Sequence, residues 1–147
     1  IAIGYFQTAL EFDPSNTDVR LQLAELIYGF AEKRGDTKSL GSKKDMDEVV
    51  KILNVENDRA IITESRYKTL IKASRRSSDP FQSVTFCKTF EREFKNLRSV
   101  DLLLECALGY FDANQKADAK KLLNGALEIP SLKHESKRIS DALGGIQ

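Results

Sequence analysis

Residues 9–16 (ALEFDPSN) and 126–131 (ALEIPS) close two amphipathic segments in almost the same letters, although they lie at opposite ends of the chain. The likeness extends upstream. Ala2, Phe6, Ala9 and Pro14 stand in the same order as Ala119, Leu123, Ala126 and Pro130. Each run places a small residue, a bulky one four positions on, an alanine three further, and a proline just past the segment. At helical spacing these positions share one face. Small side chains there let two helices approach closely, and the bulky one fills the gap beside them. Both runs therefore state the same rule for packing one helix on another.

The chain between them reads the same way. Glycine and proline are sparse and fall between periodic segments, and alternating β-branched runs are nearly absent. The spacing predicts helices over 1–12, 17–33, 44–55, 58–76, 80–96, 100–113, 116–128 and 132–143, joined by short turns that favour antiparallel neighbours. A polar stretch, GDTKSLGSKKD, reads as a long loop between residues 34 and 44.

Composition sets bounds on function. With 147 residues, 31% charged and 41% hydrophobic, the chain suits one compact domain with a core of its own. A net charge of +1 gives no overall bias toward nucleic acid or a membrane surface. No apolar run approaches the ~20 residues needed to span a bilayer. Leu102 to Phe111, the most apolar run, is interrupted by Glu105. Cys87 and Cys106 form no CxxC pair and are too few for a disulfide framework. They read as two buried reduced thiols, although as neighbours in adjacent repeats they leave a bond between them open. The chain begins at Ile1 with no leader signature and looks trimmed from a longer protein.

The repeated packing rule resembles the tetratricopeptide repeat, a family of helix pairs about 34 residues long. In residues 100–132, Leu103, Cys106, Ala107 and Tyr110 match its first helix, and Ala119, Leu123 and Ala126 its second. Residues 1–16 resemble the second helix of an earlier repeat, followed in register by Leu23, Ala24 and Ile27. A weaker match over 64–99 places Tyr67, Leu70, Ile71 and Ser74 in one helix and Ser83, Cys87 and Phe90 in the next. Ile139, Ser140 and Leu143 sit where a further first helix, 133–147, would put them. The repeat over 17–63 is irregular and carries the inserted loop, and its second helix, with Val49, Val50 and Leu53, lacks the small–bulky–small signature. The resemblance implies an all-α fold, a right-handed α-solenoid of antiparallel helix pairs running through the whole chain. Both ends are apolar where a capping helix would be polar, so further repeats are expected on either side.

Signs of catalysis are missing. There is no phosphate-binding glycine loop, no dinucleotide fingerprint and no nucleophile elbow. The single histidine, His134, has no ligand-spaced partners and reads as a surface or capping residue. Asp45, Asp47 and Glu48 read as the start of a helix, where carboxylates favour the positive end of the dipole. No cofactor or metal is called for, and a non-catalytic role is expected.

Charge distribution says more than its sum. Residues 64–99 hold 9 basic and 4 acidic side chains, whereas 1–63 hold 8 and 11, and 100–147 hold 6 and 7. Lys68, Lys72 and Arg75 are spaced to share one helix face. In the resembled family, the first helix of each repeat lines a concave groove. Carried over, that gives Leu21, Glu25 and Tyr28, then Lys68, Lys72 and Arg75, then Leu104, Leu108 and Phe111. Such a surface, basic in the middle with apolar and aromatic flanks, suits an extended acidic peptide or a helix of another protein. An ordinary solvated face is the alternative. Glu25 and Leu108 stand where the family's carboxylate clamp has asparagines, so that clamp is not expected here.

The expectation is thus a protein-binding scaffold. The alternative is an assembly segment of a larger machine, such as a bacterial exopolysaccharide exporter or a signalling or defence protein, acting through edge contacts or self-association. Nucleic acid is disfavoured, because adjacent repeats lack matched base-reading side chains. Oligomeric state and compartment stay open, with the cytoplasm ahead of the periplasm.

Overall fold

Helix formation follows from the pattern of apolar residues, and in the computed structural model it is complete: among the described residues every regular element is a helix. Those residues are 2–33, 40–54, 64–93 and 99–146. The α-helices are α1 (Ala2–Phe12), α2 (Thr17–Lys33), α3 (Leu40–Leu53), α4 (Glu64–Arg75), α5 (Gln82–Glu93), α6 (Val100–Asp112), α7 (Lys116–Leu127) and α8 (Ser136–Ile146), with a 3-10 segment, Pro130–Glu135, before the last. None is long and apolar enough to cross a membrane. The chain divides into two compact units, Ile1–Pro80 and Phe81–Gln147.

In the first unit α1 packs on α2, α2 on α3 and α3 on α4, and α2 also touches α4. The turn from α1 to α2 is written locally. Pro14 ends the helical run, and the Asn16 side chain accepts the Val19 amide at 3.1 Å, capping α2. The Arg20 guanidinium donates to the Pro14 carbonyl. Leu23, Ala24, Ile27 and Ala31 form the buried stripe of α2, met by Met46, Val49, Val50 and Leu53 of α3 and by Leu70, Ile71 and Ala73 of α4. Two polar ties fix α4 beside α3. Arg66 donates twice to the Leu53 carbonyl, at 3.0 and 2.6 Å, filling acceptor capacity that α3 leaves open at its end. Asp47 accepts the Ser78 amide at 2.8 Å and the Ser78 hydroxyl as well. Ser74 and Ser77 are buried without penalty, because their hydroxyls donate to the Ile71 and Ser74 carbonyls at 2.9 and 2.7 Å.

In the second unit α5 packs on α6, α6 on α7 and α7 on α8, and α6 also touches α8. Leu102, Leu103, Cys106, Ala107 and Tyr110 on α6 are buried, as are Ala119, Leu122, Leu123 and Ala126 on the α7 helix that packs on it. The connection from α6 is a Schellman turn. Gln115 N–H donates to the Tyr110 carbonyl at 2.8 Å and Asn114 N–H to that of Phe111 at 3.0 Å. Asn114 takes the left-handed conformation, φ 60°, that this motif requires and that asparagine tolerates better than most residues. The Tyr110 hydroxyl donates to the Glu91 carboxylate. Burial first, then that hydrogen bond and the nearby Glu91 and Asp118 charges, push the phenol well above its ordinary range. Arg138 on α8 reaches Asp101 on α6 at 2.6 Å, an exposed pair that salt screens.

Four sequence expectations change. First, the thiols expected to be reduced are bonded. Cys87 on α5 and Cys106 on α6 form a disulfide with Cα atoms 5.6 Å apart, well within bridging range. Both were correctly expected to be buried. Second, α3 begins at Leu40, inside the stretch read as loop; residues 34–39 of that stretch lie outside the described residues. Residues 40–43 contain no proline, and one early glycine costs a helix only about 1 kcal/mol, so the helix runs on upstream. Third, Asp45, Asp47 and Glu48 therefore lie beyond the first turn of α3 and are not dipole partners at its start. Asp47 instead holds Ser78. Fourth, the last helix does not start at 132: Pro130 opens the 3-10 segment, which buries Leu132, and α8 follows from Ser136. His134 sits exposed in that segment, 3.9 Å from Glu135. The predicted helical residues 1, 55, 58–63 and 94–96 lie outside the described residues.

Candidate functional site

A recess forms where α2 and α4 meet. Period 3.6 places Ser65, Lys68, Thr69 and Lys72 along one stripe of α4, and Glu25 and Tyr28 along the facing stripe of α2. Together these six side chains line a cavity of about 280 Å³. Four of the residues read from sequence as groove residues, Glu25, Tyr28, Lys68 and Lys72, are thus brought together within the first unit. Tyr28 is nearly buried and forms the floor, Lys68, Thr69 and Lys72 are half-buried, and Glu25 and Ser65 are exposed at the rim.

The chemistry of the recess follows from that inventory. Two ammonium groups and two aliphatic hydroxyls offer donors on the α4 side, opposed by one carboxylate on the α2 side. Lysine stems can lie along apolar surface while their heads stay wet, so neither charge needs to be desolvated until a ligand arrives. The Arg76 guanidinium lies 5.9 Å from the centroid of the Tyr28 ring, and its Nη1 donates to the Lys72 carbonyl at 2.8 Å. These contacts steady the end of α4 where Lys72 sits.

The remaining expected residues fall elsewhere. Arg75 is half-buried and does not line the recess; Ser65 and Thr69 do, although the sequence reading passed over them. Their signal was present, since 65, 68, 69 and 72 keep the same helical spacing as the lysines, but hydroxyls carry no charge run to draw the eye. Leu21 is half-buried and lies off the recess. A neighbouring cavity of about 320 Å³, lined by Phe6, Gln22, Glu25 and Leu26, takes its α2 wall instead. Glu25 belongs to both.

Leu104, Leu108 and Phe111 belong to α6, in the second unit. Leu104 and Phe111 are half-buried, Leu108 is 45% exposed, and the Lys116 ammonium stands 5.5 Å from the Phe111 centroid. That unit has a cavity of its own, about 380 Å³, whose charged lining, Lys88, Lys121, Glu91 and Asp118, cancels. Its one buried phenol, Tyr110, is already engaged by Glu91. It offers no preference for either sign of charge. Among the described residues no three or more His, Cys, Asp or Glu side chains gather as metal ligands would.

No known family model matches the chain, and neither the curated proteins nor the solved structures give a match.

Proposed function

We propose that the chain is part of a tetratricopeptide-type solenoid and works as a non-catalytic scaffold, binding an acidic peptide of another protein along α2 and α4. The observation that carries this reading is the recess itself, which Lys68 and Lys72 line together with the two hydroxyl-bearing residues Ser65 and Thr69 and with Tyr28. A lone charged stripe would be ordinary solvated surface. Here the stripe faces a second helix across a concavity large enough to hold a side chain, with an aromatic floor to pack on. The repeat reading draws support from packing that skips one helix, α2 on α4 and α6 on α8. In each case the pair consists of first helices of successive repeats. The positions of the family pattern over 100–132, Leu103, Cys106, Ala107, Tyr110, Ala119, Leu123 and Ala126, are all buried.

The test is a titration of a fluorescent peptide pool, glutamate fixed at its centre and other positions mixed, against native protein and Lys68→Glu/Lys72→Glu. Binding to the native chain is expected to weaken with added salt, and the variant to lose at least about tenfold in affinity. Equal affinity for both proteins would remove the recess from consideration.

A second reading, self-association, draws on a different surface. Tyr5 and Phe12 lie seven residues apart on α1 and are 75% and 87% exposed. Two aromatic side chains on one stripe are the composition of an interface core. Sedimentation should then show mass rising with protein concentration, and Tyr5→Ser/Phe12→Ser should restore a single monomeric species. A native chain that stays monomeric across the concentration range dismisses this reading.

A further inference from the structure

We infer that the exposed face of α6 is a docking surface of its own, with the opposite charge preference to the first-unit recess, and that its occupant is an amphipathic helix of another protein carrying lysine or arginine along one flank. The surface lies within the second unit and stands or falls independently of Lys68 and Lys72.

α5, α7 and α8 pack on α6, and seven of its 13 residues are buried. The six that reach the surface are of two kinds only. Leu104, Leu108 and Phe111 are large and apolar, and Asp101, Glu105 and Asp112 are acidic. The helix contributes no basic side chain. At roughly 3.6 residues per turn the three apolar positions fall within an arc of about 60°, and the three acids within an adjoining arc of about 40°. The face is therefore an apolar stripe with one acidic shoulder, where an ordinary solvated helix face mixes both signs of charge. Leu108, at the middle of the stripe, is 45% exposed, which leaves its hydrocarbon open to a ligand.

The chain's own cations show what this face draws. The Arg138 guanidinium donates to the Asp101 carboxylate at 2.6 Å, and the Lys116 ammonium stands 5.5 Å from the Phe111 centroid. One cation has settled on the shoulder and one on the aromatic end of the stripe. Arg138 and Lys116 are both exposed. Contacts of that sort contribute little and are screened by salt, so an incoming lysine or arginine exchanges with them at small cost. Glu105 and Asp112 carry the same shoulder onward, about 16 Å along the axis from Asp101 to Asp112 at roughly 1.5 Å per residue.

A helix is the form of ligand that such a stripe accepts. An extended segment laid on Leu104, Leu108 and Phe111 would set unpaired N–H and C=O groups against hydrocarbon, because α6 uses its own backbone groups internally. A helical segment is already satisfied, and it presents apolar side chains at the same repeat of three and four positions. Lysine and arginine beside those positions keep their stems on the apolar surface and their charges at the acidic shoulder. Acidic residues there would meet Asp101, Glu105 and Asp112. The shoulder thus orients the right helix and rejects the wrong one.

The experiment titrates three fluorescent helical peptides of equal length against the native chain. One has a leucine stripe and a lysine flank, one the same stripe and a glutamate flank, and one the lysine flank with alanine in place of leucine. The first should bind about tenfold or more tightly than either of the others, and should weaken as salt rises. Leu108→Ser should lower its affinity about fivefold, with helix content unchanged by circular dichroism. The decisive variant is Glu105→Lys/Asp112→Lys, on which the order of the two leucine peptides should invert. That is a gain for the glutamate-flanked helix, which loss of folding could not produce. Equal binding of the two leucine peptides to native protein, no binding of the lysine-flanked one, or an unchanged order on the reversed variant would each overturn the proposal. So would a native chain that associates with itself and is dispersed by Leu108→Ser, since a second copy then covers the face.

Discussion

Reducing the Cys87–Cys106 disulfide is expected to lower the stability of the second unit by about 3 kcal/mol. The bond joins α5 to α6 across a sequence separation of 19. Closing a loop of that size removes conformational freedom from the unfolded chain and contributes on the order of 3 kcal/mol in the chain-entropy account. Against a total of roughly 5–15 kcal/mol for an ordinary domain, that is a large share. Both sulfurs are buried, Cys87 at 0% and Cys106 at 1% exposure, so reductant acts only when the unit opens. Under native conditions the bond should therefore survive mild reductant for long periods, and thiol-reactive dye should label nothing. The measurement is denaturant unfolding of oxidised protein, reduced protein and Cys87→Ala/Cys106→Ala. A midpoint that falls for the last two, with a slope equal to or steeper than that of the oxidised protein because the unlinked unfolded chain exposes more surface, is the expected result. Equal midpoints, with reduction verified by thiol labelling, would mean the bond forms without contributing.

The sequence made the inside of each helix legible and the relations between helices much less so. Leu23, Ala24 and Ile27, or Ala119, Leu123 and Ala126, were readable because burial repeats with a helical period and needs only local letters. The cysteine pair was not, although both members were placed on buried positions. Bonding depends on α5 and α6 bringing two particular Cβ atoms face to face, and no periodicity carries that. The start of α3 was missed for a different reason. A Gly/Ser/Lys stretch resembles a loop by composition, yet residues 40–43 contain nothing that forbids helix, and the apolar stripe of Met46, Val49, Val50 and Leu53 anchors the segment. Asp47 shows the consequence: read as a dipole partner at a helix start, it holds Ser78 instead, 31 residues away in sequence. At the recess the charged members were visible because charge clusters in sequence. Ser65 and Thr69, uncharged, became visible only when α2 supplied the opposite wall.

Phe90→Ala should be the most damaging single truncation in the second unit, costing about 3–5 kcal/mol. The argument is one of place, since the chain has 8 phenylalanines and their surroundings differ widely. Phe90 is 0% exposed on α5, whereas Phe81, just before the same helix, is 59% exposed. Removing the Phe90 ring takes away its transfer free energy and leaves a hole that close-packed neighbours fill only in part. Removing the Phe81 ring leaves nothing behind but water, and Phe81→Ala should shift stability by no more than about 0.5 kcal/mol. Urea titration of the two variants against native protein reads both numbers. Phe90 also lies one helical turn beyond Cys87, on the same face of α5, so its loss and the loss of the disulfide strike one attachment. With the bond intact, α5 stays tethered to α6 while its packing is weakened. With the bond reduced, the truncated ring leaves α5 held by neither, and the combined cost should differ from the sum of the separate costs. Strict additivity in that cycle would show that packing and covalent linkage hold α5 independently. A departure of about 0.5 kcal/mol or more would show that they hold it as one device.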